Sequence, residues 1–500
     1  MEHWLSRRAS LLAPRGIVSV IAVKHFNEII YSMWNFIAVV SGTIGLAGVL
    51  FYYRPAARKI LSASRWMLLT WGFLLLVHFT SPVIYHNFNI SFSTWLYCGL
   101  WLATFVVADN VRFTLWSKAD TERAPLRSVL YSIRTMRVLA TLSIAGGILL
   151  VYTRLNTLSG FDITSVLYDL RVTQVATEDI GLAKTLSTVL ASLGLIVGLV
   201  EISNAVRTRT RIPIRGGLSL LAYLIVPISA GGRSGFVLAT ISLIVAVCAS
   251  IYLSGLGFAK FRALLIVSAL MIVAALGYIM LVVSSRGASD GGSMDTQVAF
   301  MNRWWNCELR PGFTDSVRPF GVLGDTITDS FYYLSPQFYG LDFILHQYHG
   351  PFTMGGLEFA VFARRVENLF GIQILDPADK SDEAMFAKAG FNPHFFRTAV
   401  HATFVDFGLV LSIPFVFLCG ALSRRARIRA LQSKEPFSIA LQALICSGAT
   451  FTVISSPFGE GTFLFPLLWF IAIFTVYEGL HHYGEIAFHQ TRLSNPAKGI

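Results

Sequence analysis

The segment Ser229-Ala-Gly-Gly-Arg-Ser-Gly-Phe236 separates two apolar runs and contains the residue types of an anion site. Its glycines allow the backbone to turn tightly and expose its N–H groups, and Arg233 adds a permanent positive charge beside them. A guanidinium group binds phosphate through paired hydrogen bonds. We therefore expect Arg233, together with the Ser234 hydroxyl, to bind a phosphate group. The alternative is a tight turn whose arginine extends to lipid headgroups.

Other arginines extend this pattern. Arg286, in Val-Ser-Ser-Arg-Gly, closes a second apolar run, and we expect it to act as the partner of Arg233 on a pyrophosphate. The polar segment that follows contains further arginines, of which Arg303 and Arg397 are candidate substrate ligands. Each could equally be a solvated surface residue.

Titratable residues cluster in Asn392-Pro-His-Phe-Phe-Arg-Thr-Ala-Val-His-Ala-Thr-Phe-Val-Asp-Phe-Gly408. A helix that begins near Thr398 places His401 in its first turn and Asp406 deeper in an apolar run. An ionisable group inside a membrane is costly and is therefore a functional candidate, although a structural hydrogen bond from Asp406 to a neighbouring helix would also explain it. Glu460, in Ser-Ser-Pro-Phe-Gly-Glu-Gly, is a further candidate.

The composition places these residues in a membrane protein. The chain has 500 residues, of which 54% are hydrophobic and only 14% are charged, and its mean hydropathy is +0.61. An ordinary soluble domain contains roughly 25% charged residues, so a cytosolic enzyme, a disordered chain and a disulfide scaffold are excluded. The net charge of +12 comes from short basic clusters between apolar runs, which membrane topology explains better than nucleic-acid binding does.

The apolar runs predict an all-α polytopic fold. Because a membrane-spanning helix needs about 20 apolar residues, we count about 11 spans. They lie near 30–53, 66–86, 92–110, 137–155, 182–203, 214–231, 235–256, 263–284, 399–421, 437–455 and 461–479. The predicted organisation is a basic interfacial segment (1–29), a first transmembrane block (30–284), a polar insert (285–398), C-terminal transmembrane helices (399–480) and a cytoplasmic tail (481–500).

Charge orients the spans. Lysine and arginine concentrate in every second connection, for example at 207–215 and 424–429, and such connections remain on the cytoplasmic side. This rule places the insert between the eighth and ninth spans outside the cytoplasm, although it also places the basic N-terminus there, which is a conflict. The insert is rich in aromatic residues, which favours either a folded cap or a sugar-stacking surface. No HExxH, DxD, GxSxG or P-loop pattern occurs, so we expect no metal, cofactor or nucleotide-linked donor.

The order of these features resembles that of the bacterial O-antigen polymerases, the Wzy-type oligosaccharide repeat-unit polymerases. The resemblance covers the chain from about residue 182 onward. It rests on the segment around Arg233, on Arg286, on Phe331-Tyr-Tyr-Leu-Ser-Pro-Gln-Phe-Tyr-Gly340, on Gly355-Gly-Leu-Glu-Phe359 and on Val405-Asp-Phe-Gly-Leu409. One departure is His401, which stands where the family pattern leads us to expect an arginine.

The resemblance implies a GT-C-like, metal-independent glycosyltransferase of the bacterial inner membrane, with its active site facing the periplasm. It implies that the substrate is an undecaprenyl-pyrophosphate-linked glycan, and it leaves open whether a chain-length regulator binds. Arginines would stabilise the leaving pyrophosphate, and a His or carboxylate would take the acceptor's proton. Our order for that base is His401, His394, Asp406 and Glu460. The alternatives are an O-antigen ligase, which uses the same donor, and a lipid-linked oligosaccharide flippase, which should carry basic residues deep inside several spans.

Overall fold

The computed structural model describes residues 57–86, 90–111, 133–155, 182–229, 234–255, 307–350, 352–372 and 398–476, together with Gly277, Val298, Ala299 and Asn302. These residues are mostly helical. The helices before the insert are α1 (Ala57–Ile60), α2 (Ala63–Thr80), α3 (Phe92–Asn110), α4 (Ile133–Leu155), α5 (Leu182–Thr208), α6 (Ile214–Ser229) and α7 (Ser234–Leu253). The insert contains α8 (Phe313–Val317), α9 (Val322–Leu334), α10 (Gln337–Gln347) and α11 (Ala360–Phe370), and it is followed by α12 (Ala399–Ser433), α13 (Pro436–Phe451) and α14 (Gly461–Val476).

Five of these helices are long and apolar enough to cross a membrane, which makes the chain a membrane protein. They are α3, α4 from Arg134 to Thr153, α5, α7 and α12, and the shorter apolar helices are α6, α13 and α14. Each coincides with a run that the sequence predicts. The predicted spans near 30–53 and 263–284, and the segments 1–29 and 481–500, lie outside the described residues apart from Gly277. The eleven-span arrangement therefore stays a prediction.

The helix α5 forms the centre of the bundle and packs against α4, α6, α7 and α13. Its glycines explain how α6 approaches so closely. A Cβ atom added at Gly194 would lie 1.9 Å from the carbonyl oxygen of Ser219, and one added at Gly198 would lie 3.1 Å from the Cβ of Leu220. Small residues at helix contacts of this kind drive helix association in membranes, where the hydrophobic effect contributes little.

The two ends of the helical bundle differ in their polar contacts. At one end, Nη1 of Arg427 lies 2.9 Å from Oδ2 of Asp109, and Nε of Arg215 lies 2.6 Å from Oε1 of Glu201. We call this the basic end, because it carries two of the predicted basic connections. Glu435, which lies just after α12 in the chain, interacts electrostatically with Arg207 in the last turn of α5. The C-terminal ends of α5 and α12 therefore lie close together at the basic end.

The insert folds against the opposite end, which we call the insert end. Strand β1 (Val83–Tyr85) pairs antiparallel with β2 (Cys307–Leu309), with Ile84 opposite Glu308. This small sheet is a departure from the predicted all-α fold, and it joins the connection after α2 to the beginning of the insert. Asp342 of α10 accepts hydrogen bonds from Ser91 and Thr94 at the start of α3.

Aromatic residues of the insert form packed contacts. The ring of Phe338 lies 4.7 Å from that of Trp95 and 6.1 Å from that of Trp71, and it is almost completely buried. Edge and tilted contacts at these centroid distances are typical of aromatic cores. For Phe338 the structure therefore favours a folded cap over a sugar-stacking surface.

Candidate functional site

Four segments meet at the insert end: the turn 353–359 of the insert, the N-terminal part of α12, the turn 454–460 and the N-terminus of α7. Their polar side chains form two groups of hydrogen bonds, one around Asp406 and Glu358 and one around Glu460, and the turn 454–460 contributes to both; together we call them the insert-end cluster. Its members are Ser234, Thr353, Glu358, Asp406, Ser456 and Glu460. The sequence singles out three of them, namely Ser234, Asp406 and Glu460.

Asp406 anchors the turn 353–359 to α12. Its Oδ1 accepts the backbone N–H of Leu357 at 2.9 Å and the hydroxyl of Thr353, and its Oδ2 accepts the backbone N–H of Glu358 at 2.8 Å. The N–H of Gly355 contributes a further hydrogen bond. These donors occupy most of the acceptor sites of the carboxylate. The arrangement resembles the structural hydrogen bond considered above, with the turn of the insert as the partner.

The helix α12 breaks immediately after Asp406. Gly408 has φ 65° and ψ −173°, a conformation open essentially only to glycine, and a Cβ atom there would lie 2.7 Å from the ring of Phe352. The backbone N–H of Met354 donates to the carbonyl oxygen of Asp406 at 3.0 Å, so the turn also satisfies backbone that the break releases. Irregular backbone in a membrane helix persists only where protein or a polar cavity surrounds it.

Glu358 lies at the centre of the cluster with its side chain only 1% exposed. Ser456 Oγ donates a hydrogen bond to its Oε2, whereas its Oε1 has no hydrogen-bond partner among the described residues. Burial raises the pKa of Glu358 to about 8; the Ser456 hydrogen bond opposes this effect and the Asp406 carboxylate reinforces it. Glu358 is therefore largely protonated at neutral pH.

Glu460 connects the turn 454–460 to α7. Its Oε2 accepts a hydrogen bond from the Ser234 hydroxyl at 3.0 Å, and Ser455 contributes another. Burial raises the pKa of Glu460 above its ordinary range, and both serine hydrogen bonds oppose that shift. Tyr223 of α6 donates its phenolic hydrogen to the carbonyl oxygen of Thr462 at 2.9 Å, which ties the beginning of α14 to the same place.

His401 lies in the first turn of α12, as the sequence predicts. Thr398 caps this helix, and its Oγ1 accepts the backbone N–H of His401 at 3.3 Å. The imidazole is buried, with 1% exposure. The N–H of Ala399 donates to the carbonyl oxygen of Thr452 at 2.9 Å, so the beginning of α12 is fixed against the end of α13.

The remaining predicted site residues lie outside the described residues. They are Arg233, Arg286, Arg303, His394 and Arg397. Arg233 directly precedes Ser234, a described member of the cluster, in the sequence.

Sequence reasoning missed Glu358 as a site residue. The signal was present, because Glu358 belongs to Gly355-Gly-Leu-Glu-Phe359, one of the motifs that carry the family resemblance. What the sequence does not show is its burial, since an isolated glutamate in a polar insert is ordinarily solvated. Thr353 and Ser456 were missed for the same reason.

The cluster contains carboxyl groups that can hold and release protons. Two carboxyl groups with raised pKa, Glu358 and Glu460, accept serine hydroxyl hydrogen bonds. Within the described ranges, no group of three or more His, Cys, Asp or Glu side chains is arranged to hold a metal ion. Comparison with family models, with curated proteins and with solved structures finds no match to this chain.

Proposed function

We propose that this chain is a Wzy-type membrane glycosyltransferase with about 11 transmembrane helices and a GT-C-like fold. In this proposal it polymerises undecaprenyl-pyrophosphate-linked oligosaccharide repeat units at the periplasmic face of the bacterial inner membrane. The product is a surface polysaccharide such as an O-antigen or an exopolysaccharide.

One observation carries the proposal: segments that the sequence singles out separately meet at one end of the bundle. Asp406 of Val405-Asp-Phe-Gly-Leu409 accepts backbone hydrogen bonds from three residues of Gly355-Gly-Leu-Glu-Phe359. At the same end, Ser234 of Ser229-Ala-Gly-Gly-Arg-Ser-Gly-Phe236 donates a hydrogen bond to Glu460. Residues that serve a single reaction must lie together, and these segments are far apart in the sequence.

The chemistry assigned to the cluster is a glycosyl transfer. The bond between the sugar C1 and the pyrophosphate oxygen breaks, and its electron pair remains on the pyrophosphate. A bond forms between C1 and a hydroxyl oxygen of the next repeat unit, whose proton passes to a basic group. Arg233 and Arg286 would stabilise the charge that develops on the pyrophosphate. His401 and Glu460 are the candidates for the proton acceptor.

The placement of charge favours this proposal over a flippase. A flippase needs cationic groups along a path through the bundle. In the described helices, the ion pairs Arg427–Asp109 and Arg215–Glu201 lie at the basic end, and the insert-end cluster lies at the opposite end. An O-antigen ligase would use the same donor and differs in its acceptor, so the choice of acceptor in the assay separates the two enzymes.

The test is elongation by the purified protein in lipid vesicles supplied with a polyprenyl-pyrophosphate-linked repeat unit. We expect Arg233→Ala and Arg286→Ala each to slow polymer formation by about a hundredfold or more. The matched control is Arg318→Ala, which removes an exposed arginine near Asp315 on the insert and should leave the rate unchanged. Polymer of normal length from both Arg233→Ala and Arg286→Ala would contradict the proposal. Transfer only to a lipid A core acceptor would identify a ligase.

A further inference from the structure

Glu358 makes two contacts that join different parts of the chain. Its backbone N–H donates to Oδ2 of Asp406 at 2.8 Å, which connects the insert to the broken helix α12. Its side chain accepts a hydrogen bond from the Ser456 hydroxyl, which connects the insert to the turn that ends in Glu460. The turn Pro457–Gly459 also packs on this part of the insert, because a Cβ atom at Gly459 would lie 3.3 Å from the carbonyl oxygen of Leu357 and 3.9 Å from that of Glu358.

The surroundings of Glu358 disfavour a negative charge. The side chain is 1% exposed, and its Oε1 has no hydrogen-bond partner among the described residues. A buried carboxylate with one oxygen left without a hydrogen bond is more costly than a buried carboxylic acid. The Asp406 carboxylate, which accepts the neighbouring backbone N–H groups, adds a like charge close by.

We propose that Glu358 is a positioning residue, which in its protonated form holds the Asp406-anchored turn against the turn that carries Glu460. This inference rests on the proposed function, because the group that it positions is a candidate for the proton acceptor in the glycosyl transfer. Deprotonation places a second negative charge beside Asp406 and pushes the two turns apart. Glu460 and its partner Ser234 then lose their alignment.

Among the described residues, two helices contribute titratable groups that interact electrostatically with Glu358. They are Asp406 and Cys419 of α12, and Tyr97 of α3. None of these three groups carries a positive charge, so none of them stabilises the ionised form of Glu358. Since the pKa of Glu358 is raised to about 8, the proton should leave in that range.

The test compares Glu358→Gln with Glu358→Ala in the vesicle assay, from neutral pH to well above pH 8. Glutamine is uncharged and nearly the same shape, so Glu358→Gln should retain most of the wild-type rate at neutral pH. The wild-type rate should fall as the pH rises through about 8, and the Glu358→Gln rate should lack that fall. Glu358→Ala removes the carboxyl partner of the Ser456 hydroxyl. Its rate of polymer formation should be about tenfold lower than the wild-type rate at every pH. The control is Glu367→Gln, an exposed position in α11, which should behave like the wild type.

Two results would overturn the inference. An inactive but folded Glu358→Gln variant would mean that the residue transfers a proton, and identical pH profiles for Glu358→Gln and the wild type would mean that its proton has no effect on the site.

A second measurement separates failure of the inference from failure of the proposed function. Glu358 stabilises the fold below the ordinary glutamate pKa of 4.5, and that contribution disappears as the pH rises to about 8.

The unfolding temperature of the detergent-solubilised protein should therefore fall over that pH range, and less steeply for Glu358→Gln. If no variant and no wild-type sample forms polymer, the proposed function fails and this comparison alone decides the role of Glu358. If the unfolding temperatures of the wild type and Glu358→Gln then change equally with pH, the positioning role of protonated Glu358 is rejected.

Discussion

The Ser234 hydroxyl donates a hydrogen bond to Oε2 of Glu460 over 3.0 Å. This contact joins the first residue of α7 to the residue before α14, and it holds a carboxyl group at the N-terminus of α7. A hydrogen bond between a hydroxyl and a carboxyl group fixes the side chain of Glu460 and also lowers its pKa. Two roles follow for Ser234: it positions Glu460, and it tunes how readily that group takes a proton.

We expect Ser234→Ala and Glu460→Gln each to reduce the rate of polymer formation by about tenfold or more. In the double variant the two effects should not add, because both substitutions remove the same contact, and a coupling free energy of about 0.5–3 kcal/mol is expected. The measurement is a double-mutant cycle on the elongation rate, with the amount of folded protein quantified for each variant. Fully additive effects would show that the two residues act independently.

The Asp406 carboxylate should contribute more to stability than an ordinary surface acid. Asn in place of Asp406 has a single acceptor oxygen, and its NH2 group would face the backbone N–H of either Leu357 or Glu358, which donate to different oxygens of Asp406. We expect Asp406→Asn to lower the free energy of unfolding by about 1–3 kcal/mol. Thermal unfolding in detergent checks this, with Asp315→Asn at an exposed insert position as the matched control. A stability equal to that of the control would mean that the turn 353–359 does not depend on Asp406.

The sequence predicts much of this fold because its signals are local. Long apolar runs locate helices such as α3 and α5, and Thr398 is a side chain that caps helices well, so the beginning of α12 is predicted to within one residue. The positions of the apolar runs also predict one functional region at the ends of these helices. This follows because every second connection of a helical bundle lies at the same end. Ser234 and Glu460 were found in this way.

The features that were missed depend on contacts between distant segments. The break at Gly408 is one glycine inside an apolar run, and its conformation becomes necessary only because Phe352 and Met354 of the insert pack there. The strand β1 has only three residues, too few for a periodic pattern, and its partner β2 lies far along the chain. Glu358 looks like a surface residue until Ser456 and Asp406 enclose it.

The buried pair of Arg427 and Asp109 should be essential for folding rather than for transfer. Nη1 of Arg427 also donates to the Ser62 hydroxyl at 2.8 Å, so α12, α3 and the residue before α2 meet at one ion pair at the basic end. Removing one partner leaves a buried charge, and we expect Arg427→Ala to lower the free energy of unfolding by about 3–5 kcal/mol. The control is Arg425→Ala, at an exposed position two residues away, which should change stability little. Folded Arg427→Ala protein that has lost only its activity would contradict this structural role.

The broken helix predicts a specific response to substitution at Gly408. Alanine there would have to adopt a positive φ, and its Cβ would also overlap the ring of Phe352, so two separate costs arise. We expect Gly408→Ala to lower the free energy of unfolding by about 1–3 kcal/mol for the backbone conformation, with the overlap in addition. Phe352→Ala on the same chain should relieve the overlap and leave the backbone cost, so the double variant should be more stable than the sum of the single effects predicts. Thermal unfolding of the four proteins gives this cycle. Strict additivity would mean that the Phe352 ring does not occupy the space beside Gly408, and a neutral Gly408→Ala would mean that α12 runs through this position without a break.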